Sequence, residues 1–370
     1  MNVKSLLFLF ALLLSCGNSG TAPDISPVEK EITWQVSPAS LSFTAQTATK
    51  SVLIVANDDW TVASGQLWCT TDRTTGFNGQ TVLKVTVTSN PAETARNTEL
   101  TLSSGKYSAK IPVSQAGAKI ESYVPESYTL KWQDEFNDPR LSGGKPALPN
   151  TDKWWYENLP KGAVNNELQT YVGGFRGIDT VAAIHDGTLK IIAQKSGGDI
   201  ISARINTKES WQYGYFEARL KMPSGKGTWP AFWMLPEKEQ LNWPLDGEID
   251  IMEYVGYDPG WVHASVHTKA YNHTIGTQKT ARMETKTAET EFHIYAVEWT
   301  ADFVKGFVDG VEYFRFDNDK KGDVNTWPFN KPFYLKLNLA WGGDWGGAQG
   351  VDETKLPATY EIDYVRVYQK

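Results

Sequence analysis

Glu248, Asp250 and Glu253 lie close together in residues 243–256, which read WPLDGEIDIMEYVG. Residues two apart on a β-strand face the same side, so Glu248 and Asp250 share one face while the isoleucines next to them face the other. In a regular strand Glu253 would face away from Glu248, because it lies five positions later. One extra residue near Ile251, a β-bulge, returns Glu253 to the face of the other two acids.

Two glutamates on one strand face, with an aspartate between them, are suited to hydrolysis of a glycosidic bond with retention of configuration. One carboxylate attacks the anomeric carbon, and the other protonates the leaving oxygen and later deprotonates water; the two lie roughly 5–5.5 Å apart. We assign Glu248 as the nucleophile, Glu253 as the acid/base and Asp250 as the residue that orients the nucleophile. Mutual repulsion predicts that Glu253 keeps its proton near neutral pH while Glu248 is ionised. The alternative is an exposed acidic strand face without a ligand.

The residues around the acids carry a resemblance to a known family. Gly247 directly precedes the first glutamate, and the stretch GTWPAFWMLP occupies residues 227–236. With these neighbours, the pattern Glu-x-Asp-x-x-Glu resembles the bulged form of glycoside hydrolase family 16, the laminarinase and lichenase group. The resemblance runs from residue 128 to residue 370, opening on WQDEFN and closing on YEIDYVRVY.

The expected fold is all-β. Long alternating strands, turn residues every ten or so positions and almost no helical periodicity indicate a jelly-roll sandwich of two curved sheets over residues 118–370. The resemblance implies the concanavalin-A-like form of this sandwich, with the cleft on its concave sheet.

The resemblance also implies substrate contacts on both sides of the acids. Asn166, in the stretch Asn165-Asn-Glu-Leu-Gln169, matches a family signature and would contact substrate, unless it caps a turn. Glu217 and Arg219 are two apart and so share a strand face, where the resemblance gives them contacts with sugar hydroxyls. An ordinary ion pair between them is the alternative.

Aromatic side chains are expected to stack on sugar rings. Trp229 and Trp233 are four apart, share a strand face and are the first candidates. By resemblance, Trp341 and Trp345 in the stretch LNLAWGGDW are further platforms, and His267 lines the site near the acid/base.

Catalysis needs no cofactor in this interpretation, but the resemblance implies a structural calcium. Glu135, the Gly187 carbonyl and Asp363 match its ligand positions, and hard oxygen ligands suit this ion. Each of them could cap a turn instead. The four-residue spacing of His263 and His267 is only a weak indication of a metal site. A zinc-protease motif requires a glutamate directly after the first histidine, and none follows His263.

The linkage that is cleaved remains open. Residues 267–279, HTKAYNHTIGTQK, replace the aromatic and glycine-rich loop that laminarinases commonly carry. We expect endo-hydrolysis of β-1,3-glucan or mixed-linkage β-1,3/1,4-glucan. Two alternatives are the same mechanism on β-1,4-galactosyl linkages of mucin-type O-glycans, and a non-catalytic glycan-binding protein. The fold does not decide between them, because jelly rolls include both lectins and enzymes.

The N-terminus predicts export. An apolar run of nine residues from Leu6 to Leu14 is about half of the ~20 that span a bilayer, so residues 1–15 read as a signal peptide. Leu13-Leu14-Ser15-Cys16 resembles a lipoprotein cleavage box, which predicts that Cys16 is lipidated and anchors the chain to the outer membrane. An ordinary signal peptide is the alternative. Cys69 then has no cysteine partner, which excludes an internal disulfide.

A second domain is predicted between the anchor and the jelly roll. Residues 16–31 are polar, contain two prolines and read as a tether. Short alternating strands over residues 32–117 predict a small immunoglobulin-like β-sandwich. It resembles the BACON domain of Bacteroidetes carbohydrate-active proteins, which implies a spacer or a glycan-binding module, and we favour the spacer.

Composition limits the partners. The 370 residues include 36 basic and 43 acidic side chains, and the net charge of −7 argues against nucleic acid. Fifteen Trp, sixteen Tyr and fifteen Phe supply aromatic faces for a polysaccharide or oligosaccharide, although core packing accounts for many of them. We expect a monomer that meets the membrane only through its lipid.

Overall fold

The computed structural model describes residues 31–90, 92–118, 121–136, 148–185 and 187–370. Strands form almost all of the regular structure, and they build two β-sandwiches with separate hydrophobic cores. The predicted signal peptide, Cys16 and the tether up to residue 30 lie outside the described residues. Within the described ranges, no helix combines the length and the hydropathy needed to cross a membrane.

The N-terminal sandwich confirms the predicted small β domain. Its strands are β1 (Trp34–Ser37), β2 (Leu41–Phe43), β3 (Ala48–Ala56), β4 (Trp60–Ser64), β5 (Cys69–Thr71), β6 (Thr75–Gly76), β7 (Gly79–Val87), β8 (Arg96–Ser104) and β9 (Tyr107–Gln115). They form one sheet in the order β1-β3-β7-β5 and another in the order β2-β9-β8-β4-β6. Trp60 and Trp68 are buried in the core between these sheets, so neither ring is available to stack on a glycan.

The C-terminal sandwich contains the remaining strands. They are β10 (Thr129–Asp134), β11 (Trp154–Tyr156), β12 (Thr170–Tyr171), β13 (Phe175–Arg176), β14 (Asp179–Thr180), β15 (Ala182–His185), β16 (Thr188–Ser196), β17 (Asp199–Ser202), β18 (Arg204–Thr207), β19 (Gly214–Lys221), β20 (Thr228–Pro236), β21 (Glu248–Tyr254), β22 (Trp261–His267), β23 (Lys279–Glu284), β24 (His293–Trp299), β25 (Phe303–Val308), β26 (Val311–Asp317), β27 (Phe333–Trp341) and β28 (Ala358–Gln369). Among the described residues of this sandwich, one short α-helix, α1 (Gly343–Gly346), and two 3-10 helices, His273–Ile275 and Glu353–Lys355, accompany the strands.

Two sheets of this sandwich face each other across the larger core. The cleft sheet has the order β11-β18-β27-β20-β21-β22-β23, and the outer sheet has the order β12-β17-β16-β28-β19-β24-β25-β26, with β10 paired to β28 and β15 paired to β16. Alternation places one side of each strand in the core. In β27, for example, Leu335, Leu337 and Leu339 are fully buried in it, while Asn338 faces the opposite side and lines the cleft.

The bulge predicted in β21 is confirmed. Asp250 pairs with Ser265 of β22, but the next paired residue of β21 is Glu253, so the register shifts between them. Ile251 and Met252 are consecutive and both are fully buried in the core. One extra residue is therefore accommodated on the core side, and the three acids keep a common face on the other side.

Candidate active site

The three acids line a cleft of about 960 Å³ on the outward face of the cleft sheet. Glu248, Asp250 and Glu253 all border it, and they come from the single strand β21. Its other walls come from neighbouring strands, from the loop before β21 and from α1. The predicted grouping of the three carboxylates on one cleft face therefore matches the geometry.

Each acid has its own neighbour. Trp243 Nε1 donates to Glu248 Oε2 at 3.2 Å, and Trp229 Nε1 donates to Glu253 Oε1 at 3.0 Å. His267 Nε2 lies 3.3 Å from Asp250 Oδ2 and 3.8 Å from Glu248 Oε1. The two glutamates thus receive hydrogen bonds from different tryptophans, one on each side of the central aspartate.

Burial raises the pKa values of the three acids. It raises the pKa of Glu248 to about 8, and the charge of Asp250 adds to this rise while His267 opposes it. Burial likewise raises the pKa of Asp250 to about 8. It also raises the pKa of Glu253 to about 8, with a further contribution from Asp250. Near neutral pH the group cannot carry three negative charges, so protons remain on it.

Neighbouring charges act on Glu248 in both directions. His267 and Arg204 lower its pKa, but Asp250 and Glu253 raise it, whereas the pKa of Glu253 is lowered by His267 and by the Trp229 indole. An ionised nucleophile beside a protonated acid/base therefore stays a prediction.

Five predicted substrate contacts lie in the cleft wall: Asn166, Trp229, Trp233, His267 and Trp345. Trp345 extends from α1, with its ring centroid 5.5 Å from that of Trp229. The Asn166 side chain donates to Asp344 Oδ1 at 2.8 Å, which fixes the loop before β12 against α1. Their contact with substrate stays a prediction.

Glu217 and Arg219 are not in the cleft, which corrects the contacts expected for them. Their strand, β19, belongs to the outer sheet. Alternation buries their neighbours Phe216 and Ala218 in the core, so the pair faces away from it on the far side of the sandwich. The expected alternative, an ion pair between the two, is not what forms, because Arg219 Nη1 donates to Asp363 Oδ2 at 2.8 Å.

Two other expectations also change. Trp341 is fully buried and shares the core side of β27 with Leu337 and Leu339, so its ring is no platform for a sugar. His267 pairs with Glu248 across β21 and β22, whereas the residue opposite Glu253 is His263. His267 therefore lines the cleft as expected but lies beside the nucleophile, and it also lowers the pKa of Glu253.

Some cleft residues were not identified from the sequence. They are His263, Trp243, Asn338 and Arg204. Trp243 could have been suspected from its position just before β21, and Asn338 from its place between two buried leucines. Arg204 gave no local signal, since its approach to the cleft depends on the pairing of β18 with β27.

One group of described side chains in the cleft has donor atoms close enough to share an ion. Atoms of Glu248, Asp250 and His267 lie within 4.8 Å of one another. This spacing also follows from two adjacent acids that share a proton beside an imidazole, so it does not require a metal.

The expected calcium ligands lie near β28 of the outer sheet. Asp363 is the extra residue of a bulge, because Arg219 pairs with Tyr364 but the next residue pairs with Ile362. Burial raises the pKa of Asp363 to about 6 even though Arg219 lowers it. Both Glu135 oxygens accept hydrogen bonds from Arg366, at 2.8 and 2.9 Å.

The Gly187 carbonyl belongs to the turn between β15 and β16, which has a positive φ at this residue. These donors are hard oxygens of the kind that calcium prefers. A calcium ion would have to share the two carboxylates of the expected site with their arginine partners.

Both parts of the chain are similar to known protein families. Residues 176–366 match the model of the glycosyl hydrolases family 16, and residues 58–116 match the BACON model of an N-terminal binding domain. A beta-glucanase of Rhodothermus marinus is 45% identical over 274 residues, which cover 71% of this chain and 92% of that protein.

Two further comparisons bear on the substrate. The X-ray structure of the laminarinase from Rhodothermus marinus is 44% identical, with a TM-score of 0.61 over 65% of this chain and 97% of that one. A keratan-sulfate endo-1,4-beta-galactosidase of Sphingobacterium multivorum is 31% identical over 253 residues, covering 65% of this chain and 55% of that protein.

The raised pKa values predict how stability changes with pH. Free Asp and Glu side chains titrate near pH 4, so between about pH 4 and 8 the folded chain binds more protons than the unfolded chain. The free energy of unfolding therefore falls as pH rises through this window. Asp250→Asn removes one of the responsible groups, and the variant should gain stability relative to wild type from pH 5 to pH 8.

The limit of this gain is about 1.4 kcal/mol per pH unit, the free energy of one proton. Urea unfolding at several pH values measures it. Ser265→Ala, which alters the cross-strand partner of Asp250 without removing a titrating group, serves as the control and should follow wild type. If the free energy of unfolding changed with pH in the same way for wild type and Asp250→Asn, the raised pKa of Asp250 would be contradicted.

Proposed function

The chain belongs to glycosyl hydrolase family 16, and we propose that it cleaves internal linkages of β-1,3-glucan or mixed-linkage β-1,3/1,4-glucan. It is an endo-acting hydrolase of β-glucan that retains the configuration of the anomeric carbon and needs no cofactor for catalysis. The observation that carries the assignment is the bulged strand β21, which presents Glu248, Asp250 and Glu253 together in the cleft.

The first chemical step uses both glutamates. The Glu248 carboxylate attacks the anomeric carbon while Glu253 gives its proton to the leaving glycosidic oxygen, and a covalent glycosyl-enzyme forms. Glu253, now ionised, accepts a proton from water, and the resulting hydroxide displaces Glu248 from the sugar. The Trp243 indole stabilises negative charge on Glu248, and the Trp229 indole does so on Glu253 after the proton has left.

Asp250 controls the charge of the nucleophile. Its carboxyl group contacts that of Glu248 and is almost fully buried. The two carboxyl groups share a proton in a hydrogen bond that holds Glu248 in position, and Glu248 lowers the pKa of Asp250 while the charge of Asp250 raises that of Glu248. When Glu248 becomes an ester with the sugar, its negative charge disappears and the pKa of Asp250 falls.

Substitution of either glutamate should remove turnover without unfolding the protein. Glu248→Gln and Glu253→Gln should each lower kcat by at least about a hundredfold, the smaller limit for a lost acid or base. Azide should restore activity to Glu248→Gly and give a product of inverted configuration, because a small anion can replace the missing nucleophile. Initial rates on laminarin and the anomeric form of the products measure both effects.

The matched control is Glu217→Gln, which changes a buried glutamate of the outer sheet. It should keep wild-type activity. Wild-type rates in either cleft variant would overturn the assignment of the two glutamates.

The galactosyl alternative has two observations in its favour. One relative acts on keratan sulfate, as its name states. In addition, the loop that departs from common laminarinases reaches the cleft, where the His273 ring lies 5.1 Å from Trp243 and 5.2 Å from His267. A residue beside the nucleophile can contact the sugar that is cleaved, so this loop is suited to select between glucose and galactose.

A substrate panel tests the linkage. Laminarin, barley β-glucan, keratan sulfate and mucin are each incubated with the enzyme, and the masses of early products are measured. We expect a rapid fall in chain length for one or both glucans, with a spread of oligosaccharides. Products from keratan sulfate or mucin alone would replace our proposal by the galactosyl alternative, and binding without any cleavage would favour the non-catalytic one.

We also propose that calcium binds Glu135, the Gly187 carbonyl and Asp363 as a structural ion. Calcium at about a hundredfold excess over its Kd should stabilise the fold by about 2.7 kcal/mol and raise Tm by roughly 5–10 °C. Thermal unfolding in calcium chloride and in EGTA measures the difference. Asp363→Asn should lose the increment, and equal Tm values for the wild type in both buffers would contradict the site.

Attachment through Cys16 is the last part of the proposal. A lipidated cysteine would carry the enzyme to the outer membrane and leave the cleft free for extracellular polymer. In the lipoprotein-processing bacterium that expresses it, the wild type should partition into detergent and Cys16→Ala into the aqueous phase. Aqueous partitioning of both forms would indicate an ordinary signal peptide.

A further inference from the structure

A second cavity of about 680 Å³ adjoins the cleft. Leu241 borders both of them, so the two spaces are neighbours on the same side of the cleft sheet. The loop that carries Leu241 is held in place, because the buried carboxylate of Asp246 accepts hydrogen bonds from Lys238, Lys331 and the Asn242 amide. Despite burial, these contacts lower the pKa of Asp246 to about 2.

The second cavity presents one exposed and one half-buried aromatic ring, those of Trp155 and Tyr334. Trp155 is 40% exposed on the edge strand β11, although its neighbour Trp154 is buried in the core. The Tyr334 ring lies 6.2 Å from that of Trp155, at an angle of 51°. Exposed tryptophan leaves apolar surface in water, so a ligand that covers this pair gains binding energy.

Strand pairing places Trp155 in line with the acids. Trp155 pairs with Asn206, Asn206 with Lys336, Lys336 with Trp233, and Trp233 with Asp250. These are four strand spacings of about 4.8 Å, or about 19 Å in total. A polysaccharide that crosses the strands from the acids over Trp233 therefore reaches Trp155 after several sugar units.

The buried Lys336 lies among three aromatic rings in and beside this row. Its Nζ lies 4.9 Å from the Trp233 ring centroid, 5.1 Å from that of Tyr334 and 6.0 Å from that of Trp155. Burial lowers the pKa of Lys336 to about 7, while its bonds to Glu157 and Asn206 favour the protonated form. In that form it attracts the negative faces of all three rings.

The charges around the second cavity favour an uncharged ligand. Lys208 and Lys238 line it together with Glu237 and Glu239, and Lys238 is paired with Asp246, so the cavity offers no excess of positive charge to an anion. Lys336 itself is only 1% exposed and is paired with Glu157, which leaves it no free charge for an anionic substituent.

We propose that Trp155 and Tyr334 form a distal subsite for a neutral β-glucan chain whose scissile bond lies at the three acids. This proposal rests on the proposed function and extends it from the reaction centre to the length of polymer that the enzyme holds. The distal subsite contributes to binding and not to bond breaking, because it lies far from the reacting atoms. Its contribution is the same in the ground state and in the transition state.

The dependence of kinetics on chain length tests the distal subsite. The substrates are polymer and a series of glucan oligosaccharides of three to eight units. Trp155→Ala should raise KM about three- to tenfold for the polymer and for the longest oligosaccharides, because one aromatic contact is lost. Its kcat should stay within about twofold of wild type. The shortest cleaved oligosaccharide should show wild-type KM, because it does not reach Trp155. Trp155→Tyr, which keeps an aromatic ring, should recover most of the affinity.

Phe175→Ala is the matched control. Phe175 has the same exposed fraction of 40% but lines neither cavity, so its KM values should equal those of wild type at every length. An unchanged KM in Trp155→Ala, or an equal rise for short and long substrates, would overturn the distal subsite alone. A wild-type enzyme that cleaves no glucan of any length would overturn the proposed function and the subsite with it.

Discussion

Strand β21 has to bury four large side chains and present three carboxylates, and these demands conflict in a regular strand. Ile249, Ile251, Met252 and Tyr254 are all fully buried in the larger core. Strict alternation after Asp250 would turn Met252 to the cleft and Glu253 into the core. The bulge resolves the conflict by giving the core two consecutive residues, and the position of the acid/base relative to the nucleophile depends on it.

The same core that enforces the bulge also provides the electrostatics of the site. Acids on a sheet that is packed on its other side by leucine and aromatic residues lose much of their contact with water, and this raises their pKa values. The cost of burying Glu248 and Glu253 is partly offset by the indole groups of Trp243 and Trp229. Burial of the catalytic acids thus lowers the stability of the fold, as is common at active sites.

Tryptophans of the cleft combine two tasks. Trp229 lines the cleft and also donates a hydrogen bond to Glu253, so its loss affects the acid/base as well as substrate binding. Trp233 has a different role, because its indole donates to Asn338 and its ring is contacted by the cations of Arg204 and Lys336. The row of paired residues that leads from the acids through Trp233 gives the enzyme a direction along which a polymer can lie.

Features that depend on local alternation could be predicted from the amino-acid sequence. The two-residue period identified Glu248 and Asp250 as co-facial, and the extra residue before Glu253 implied the bulge that the structure has. The repeated short strands and the turn residues between them were enough to predict two β-sandwiches. These features depend on neighbours along the chain, so they can be read without knowing the pairing of strands.

Long-range contacts set which sheet each strand joins and which residues lie beside it. Glu217 and Arg219 have the same alternation as residues of a cleft strand, but β19 belongs to the outer sheet. Trp341 turns to the core, His263 instead of His267 lies opposite Glu253, and Trp155 falls in line with the acids, all through long-range pairing. Alternation separates the two sides of a strand, but which side meets the cleft is set by contacts between residues far apart in the chain.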